Sequence, residues 1–385
     1  MPKNIVVLCD GTGNQVESNL SNVLKLFRIL QKNTEQVVFY DPGIGTIGNL
    51  KPWSRFKQNL RKNFCLATGT GLEENVLDCY RFLIDNYEDE DQVYLFGYSR
   101  GAYTVRVLAG LLHMIGLLRP EQKNLNEYAL NAYKESSRKD DFQIGWRFAT
   151  VTGTQKIPIK FMGVWDTVSS VLIPTKLIGI KQQATPYTAK NPIVEVLRHA
   201  IAIDERRRMF RVNHWTEPQE YRPNFFDEKS RKPQDIKQVW FAGVHSDVGG
   251  GYPEEESGLA KFPLKWMVDE ARQAGIKVNT AMFNHLVLGQ PRAGSKKEYV
   301  APNASANQHN SLGFAWKIME IFPKPVTRRD WPKRISFLGL YIPWGEPRYI
   351  DEGAMVHRSV IDRMHNRPDY KPINLPASYQ VVDDQ

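Results

Sequence analysis

Apolar positions along the chain follow two alternating rhythms. Short continuous runs at Ile5–Leu8 (IVVL), Gln36–Tyr40 (QVVFY), Val93–Phe96 (VYLF), Ile157–Trp165 (IPIKFMGVW) and Val239–Val244 (VWFAGV) read as strands covered on both faces. Between them lie stretches with helical spacing: Leu20, Val23, Leu24, Phe27 and Leu30, then Val76, Leu77, Tyr80, Leu83 and Ile84, then Ala102–Leu118 and Leu259–Ala274. The pattern also predicts polar helical chain over 121–150 and a helix over 192–211. Strands alternating with helices predict an α/β fold with a mostly parallel sheet flanked by helices. Residues 167–191 carry no clear period and read as an insertion above the sheet, and from about 276 the chain is rich in Pro, Arg and Lys without alternation. The expected organisation is therefore one α/β domain over 1–275, with that insertion, and a C-terminal extension or small lobe over 276–385.

Within that rhythm one turn carries chemistry. Gly97-Tyr98-Ser99-Arg100-Gly101 follows the strand VYLF directly and opens the helix AYTVRVLAGLL, the strand, sharp turn and helix of a nucleophile elbow. A serine hydroxyl needs a base to take its proton and a carboxylate to orient that base. In α/β-hydrolase-like folds these follow in the order Ser, Asp or Glu, His. Asp166 ends one predicted strand, and His245 follows another and starts the Gly-rich turn at 246–251. Asp247 competes for the orienting role and His357 is the alternative base; Asp166 and His245 are preferred because both stand at strand ends, where open sheets carry their active sites. The expected oxyanion donors are the backbone N–H of Arg100 and that of Gly11, in the turn after the first strand.

Six ordered segments resemble one family: DGTGN at 10–14, GLEEN at 71–75, LFGYSRGAY at 95–103, GVWDTV at 163–168, DERRRMF at 204–210 and VWFAGVHSDVGGGY at 239–252. They are similar to the α/β-hydrolase domain family that includes phospholipase effectors of type VI secretion, over roughly residues 4–275. The resemblance implies phospholipase A-type hydrolysis with Ser99, Asp166 and His245 at the matching positions. It also implies secretion machinery or an immunity protein as partners.

Composition changes this picture in two respects. The 385 residues are 42% hydrophobic and 24% charged, which excludes a disordered chain, and 51 Lys and Arg against 42 Asp and Glu leave a net charge of +9. Such a balance favours anionic partners, phospholipid headgroups or nucleic acid. No recognisable nucleic-acid module is present, so the expectation is a phospholipid or other ester substrate on an anionic membrane surface, and no nucleic acid. The charge is concentrated. Lys51, Arg55, Lys57, Arg61 and Lys62 interleave with Trp53, Phe56, Leu60 and Phe64, a candidate interfacial helix in which Trp53, Phe56, Lys57, Leu60 and Arg61 meet the membrane, or else an ordinary helix packed on the sheet. Residues 291–340 hold nine Lys or Arg against three acids.

Other classes are set aside. The three cysteines form no CxxC pair, HExxH and EF-hand patterns are absent, and the GxGxxG at 43–48 is followed by Pro52 rather than a clean helix, so no cofactor is expected. The N-terminal apolar run is too short for a signal peptide, and Val107–Leu118, the longest, is too short to span a bilayer. A cytoplasmic protein as made, exported if at all without a signal peptide, is the expectation. Two alternatives remain open: an esterase or thioesterase for a soluble substrate, and a basic membrane- or nucleic-acid-binding protein on a hydrolase scaffold.

Overall fold

The computed structural model describes residues 2–11, 19–43, 71–139, 141–168, 186–224, 228–313, 316–317, 320–326 and 335–384, together with the backbone of 172–175 and 179–182. Among these residues eight strands form one sheet: β1 (Asn4–Cys9), β2 (Gln36–Asp41), β3 (Gln92–Tyr98), β4 (Ile159–Trp165), β5 (Val194–Ala202), β6 (Asp235–Phe241), β7 (Ala354–His357) and β8 (Tyr379–Val382). Their order across the sheet is β8-β7-β6-β5-β4-β3-β1-β2, and every neighbouring pair runs parallel. The fold is α/β, a parallel sheet flanked by helices, as the alternation predicts.

A parallel sheet must be covered on both faces, and β1 shows how the sequence does it. Ile5, Val7 and Cys9 point into a core shared with α2 (Leu72–Asn86) and α3 (Arg100–Met114), whereas Val6 and Leu8 point into one shared with α1 (Asn22–Ile29) and α7 (Lys261–Gln273). α3 is buried along its whole length, which is why its sequence lacks a polar stripe. Helices α4 (Asn126–Lys139) and α5 (Gln143–Thr152) cover α3 and supply the predicted helical chain at 121–150. Three shorter helices complete the set used below: α6 (His245–Gly249), α8 (Thr280–Leu286) and α9 (Arg358–Asn366).

Two expectations are corrected. Residues 194–202 form the central strand β5, not part of a helix; Glu195, Arg198 and His199 break its apolar run, so that periodicity does not declare a buried strand there. The chain after 276 is threaded into the sheet rather than set beside it, because β7 and β8 extend the edge formed by β6. Only four residues each, they leave too little alternation to read. The segment at 167–191 includes a short antiparallel pair, Leu172–Thr175 with Gly179–Gln182. The basic amphipathic stretch, with Trp53, Phe56, Lys57, Leu60 and Arg61, lies outside the described residues. No helix among the described residues is long and apolar enough to cross a membrane.

Candidate active site

The chain leaves β1 for β2 on one side of it and then crosses to β3 on the other, so the strand order reverses between β1 and β3. Crevices at such reversals, beyond the carboxyl ends of the strands, are where open α/β sheets bind ligands. Ser99 stands there, directly after β3. Its backbone is held at φ 57°, ψ −116°, a conformation that non-glycine residues rarely adopt, and its N–H bonds to Trp165 O at 3.0 Å. The flanking glycines are required by contact. A Cβ on Gly97 would lie 2.5 Å from Gly101 O, and one on Gly101 would lie 2.1 Å from Cys9 O. The GxSxG spacing thus lets α3 start against the end of β1 and points the Ser99 side chain into the crevice.

Asp166 follows β4 directly, and His245 opens α6 after β6. The three side chains meet: Ser99 Oγ lies 2.8 Å from His245 Nε2, and His245 Nδ1 lies 2.5 Å from Asp166 Oδ2. An ionised carboxylate only accepts, so Nδ1 carries the ring proton and Nε2 faces the hydroxyl as an acceptor. All three residues are buried, Ser99 being the most exposed at 8%. Burial pushes the His245 pKa below its ordinary value despite the opposing Asp166 carboxylate. The imidazole is therefore neutral at pH 7, the form a general base needs.

A group not anticipated from the sequence completes the site. Arg348 grips Asp166 with two bonds, Nη1 to Oδ1 at 2.6 Å and Nη2 to Oδ2 at 3.0 Å, while Ala202 N donates to Oδ1 at 3.0 Å. Burial pushes the Asp166 carboxyl up, but the Arg348 charge and the His245 hydrogen bond outweigh it and hold the carboxyl well below the usual range. The DERRRMF segment braces the other partner. Glu205 Oε2 accepts from His245 N at 3.1 Å, Arg207 pairs with Glu205 at 2.9 Å, and the Phe210 ring meets the His245 ring edge-on at 4.8 Å. Burial raises the Glu205 carboxyl, and Arg207 overrides it, leaving it at about 2. Glu205 and Arg207 are thus spent on one another, while Asp204 accepts from Gly243 N and Tyr370 Oη and Arg208 N donates to Glu320.

The competing residues have other partners. Asp247 accepts from His309 Nδ1 at 2.7 Å, and His309 Nε2 lies 2.9 Å from Glu256 Oε2, so Asp247 orients His309 rather than His245. His357 caps α9 and bonds to Ser359 and Asp384. Asp10 takes hydrogen bonds from Ser21 Oγ and, at 2.8 Å, from Tyr40 Oη. Gly11 lies against the site, since a Cβ there would stand 3.4 Å from Ser99 Cβ, but its N–H donates to Asp10 Oδ1 at 2.6 Å. Arg100 is the first residue of α3, at the positive end of that helix. Among the described residues one group has metal-ligand types close together: Cys9, Asp41 and Cys79, with donor atoms within 4.8 Å. It sits behind β1 on the α2 side, where hydrogen bonding to Cys79 and burial push the Cys9 thiol pKa up.

Residues 3–270 match the family described as "T6SS, Phospholipase effector Tle1-like, catalytic domain". The chain belongs to this family. Its Tle1-like region holds Ser99, Asp166 and His245 but stops before Arg348. The chain is also 31% identical over 243 residues to the uncharacterized protein YEL023C of Saccharomyces cerevisiae, covering 58% of this chain and 34% of the yeast protein. It therefore spans about a third of that curated relative's length. Among solved structures, an uncharacterized protein from Pseudomonas aeruginosa matches with TM-score 0.37 and 18% identity, covering 72% of this chain and 46% of that one. The Tle1 effector bound to the VgrG spike of the type 6 secretion system matches with TM-score 0.34 and 16% identity, covering 67% and 53%.

Proposed function

We propose that this Tle1-like protein is a serine hydrolase that cleaves a carboxylic ester of glycerophospholipids, a phospholipase A, through an acyl-enzyme. The observation that carries the reading is the relay from Ser99 Oγ through His245 to Asp166, at 2.8 and 2.5 Å, on a strained turn at the sheet's reversal point. Ser99 Oγ attacks the ester carbonyl as its proton passes to His245 Nε2. Asp166 stabilises the imidazolium and Arg348 keeps Asp166 ionised. The oxyanion forms against the Arg100 N–H at the start of α3; Gly11 serves as second donor by exchanging its bond to Asp10 for one to substrate. The tetrahedral adduct collapses, the lysophospholipid alkoxide leaves with the proton from His245, and water repeats the sequence to release fatty acid.

Since the solved Tle1 effector is bound to a VgrG spike, we propose that this chain too reaches its target on secretion machinery. The chemistry is tested by mass spectrometry of products from mixed glycerophospholipids, wild type beside Ser99→Ala, with fluorophosphonate labelling of both. The expected result is lysophospholipid and fatty acid from wild type alone, and a label on Ser99. Fatty-acid release unchanged in Ser99→Ala overturns the mechanism. Turnover of short soluble esters with none of phospholipid would instead assign the same chemistry to a soluble substrate.

A further inference from the structure

We propose that His199 is a positioning residue of the catalytic site: by accepting the Thr167 N–H it holds the turn that aims the Asp166 carboxylate at His245. The proposal rests on the hydrolase reading above and adds to it a residue that works only through Asp166.

The turn needs holding. Asp166 sits at φ 39°, in the left-handed region, directly after the extended chain of β4. Residues other than glycine keep such a conformation only where their surroundings over-determine it. Three hydrogen bonds do so here. Asp166 N donates to Ala200 O at 2.7 Å, Thr167 N to His199 Nε2 at 3.2 Å, and Asn213 N to Thr167 O at 2.9 Å. The first and third join backbone to backbone, so their existence does not depend on residue type. The second depends on one side chain. β4 and β5 pair Val164 with His199 and Trp165 with Ala200, which brings the imidazole within reach of the first peptide group after Asp166.

The ring is held in the form this bond requires. A backbone N–H can only donate, so Nε2 accepts and the ring proton is on Nδ1. Nδ1 then faces Gln238 Oε1 at 3.4 Å. The Gln238 amide is itself oriented, its Oε1 taking Trp215 N at 2.7 Å and its Nε2 giving to Trp215 O at 2.9 Å. Both ring nitrogens thus have a defined role in a residue that is wholly buried.

Charge secures the same state. Arg106, on α3, is also wholly buried and brings Nη2 to 3.4 Å from His199 Nδ1. Burial first, and the Arg106 charge second, hold the His199 pKa well below the ordinary histidine value. The ring stays neutral and keeps its lone pair, which a protonated ring could not offer to Thr167. Arg106 also donates through Nη1 to Asn213 O at 2.7 Å, bracing the residue that makes the third bond of the turn. The helix that begins after the nucleophile therefore supports the turn that carries the acid.

The test exploits reach. His199→Gln can bring an amide oxygen near the position of Nε2, the oxygen of His199→Asn stops near that of Nδ1, and His199→Leu has none. With the full chain, kcat and KM for a short soluble ester are measured well below the melting temperature, and again in the Asp166→Asn background. His199→Leu and His199→Asn should lower kcat by about 10–100-fold with KM little changed, as when a catalytic group is misplaced beside an intact substrate site. His199→Gln should recover most of that loss. In the Asp166→Asn background His199→Leu should cost less than about 3-fold more, because the two residues act as a unit.

Parental kcat in His199→Leu and His199→Asn overturns the proposal and leaves the hydrolase reading standing, even if melting temperature falls. So does His199→Gln no better than His199→Asn, or an undiminished loss in the Asp166→Asn background. If His199→Leu does not fold, the comparison of His199→Gln with His199→Asn decides; failure of all three to fold makes His199 a core residue alone and overturns the proposal. A wild type that hydrolyses no ester and takes no fluorophosphonate label at Ser99 overturns the hydrolase reading and this proposal with it.

Discussion

Ser99, Asp166 and His245 stand at or just beyond the carboxyl ends of β3, β4 and β6, each placed by a strand. Arg348 and His309, which hold Asp166 and Asp247, come from irregular chain after residue 276. The first set has its geometry fixed by the sheet; the second must find its partners from a distance and does so through charge. Arg348 and Asp166 are 182 residues apart in sequence and almost fully buried together. A fold of this kind can thus hold a serine, an acid and a histidine together on rigid strands and leave their charge balance to a late, irregular segment.

That division can be broken at four points. Ser99→Ala on the strand side should lower kcat/KM for ester hydrolysis by on the order of 10⁴-fold with little change in melting temperature. Asp166→Asn should lower kcat/KM by about 10³–10⁴-fold. Arg348→Met, on the tuning side, should cost about 10–100-fold in kcat/KM, because the carboxylate it holds is left buried without its counter-charge. Its pH profile supplies the distinguishing readout. Arg348 shares the Asp166 carboxylate with His245, so its removal leaves that charge to the imidazole; the His245 pKa should then rise and the acidic limb of kcat/KM move to higher pH. Arg348→Lys keeps the charge and should restore that limb while recovering only part of the rate, since the two-bond grip is lost. If Arg348→Met lowers melting temperature alone and leaves both rate and limb in place, the tuning role fails.

The smallest effect belongs to His309. Its pKa is raised by the Asp247 hydrogen bond against burial, and further by Glu256. The pair therefore stabilises the fold fully below the ordinary histidine pKa of about 6.5 and fades as pH rises through the higher folded value. The stability advantage of wild type over His309→Gln should be larger at pH 6 than at pH 8, by about 0.5–1 kcal/mol in urea unfolding. Equal pH dependence in both proteins would remove His309 from the account.

The sheet was readable where an element is local. IVVL, VYLF and IKFMGVW declare buried strands, and GYSRG between a strand and a helix declares a turn whose glycines are needed by contacts under 3 Å. The same logic located Ser99, Asp166 and His245, and the structure brings all three within hydrogen-bond reach. It failed at β5, where Arg198 and His199 interrupt an apolar run whose neighbours on both sides are strands. Arg198 is neutralised by Glu270 at 2.5 Å and by Asp235, a long-range arrangement invisible to spacing. Arg348 was missed for the same reason: it sits in no motif, and its role exists only because the fold brings Asp166 to it. One trace was available, since Asp166 is a fully buried acid and needed a base from somewhere.

Arg348 has a consequence for the birth of the protein. Synthesis proceeds from the N-terminus, so Asp166 leaves the ribosome 182 residues before the group that keeps it charged. At roughly 5–20 residues per second that interval is about 10–40 s. β7 and β8 also emerge only after Arg348. During that interval the nucleophile and its base can already be made, yet the relay lacks its counter-ion and the sheet its edge. The complete relay of charges around Asp166 thus exists only once the last part of the chain has folded onto the sheet.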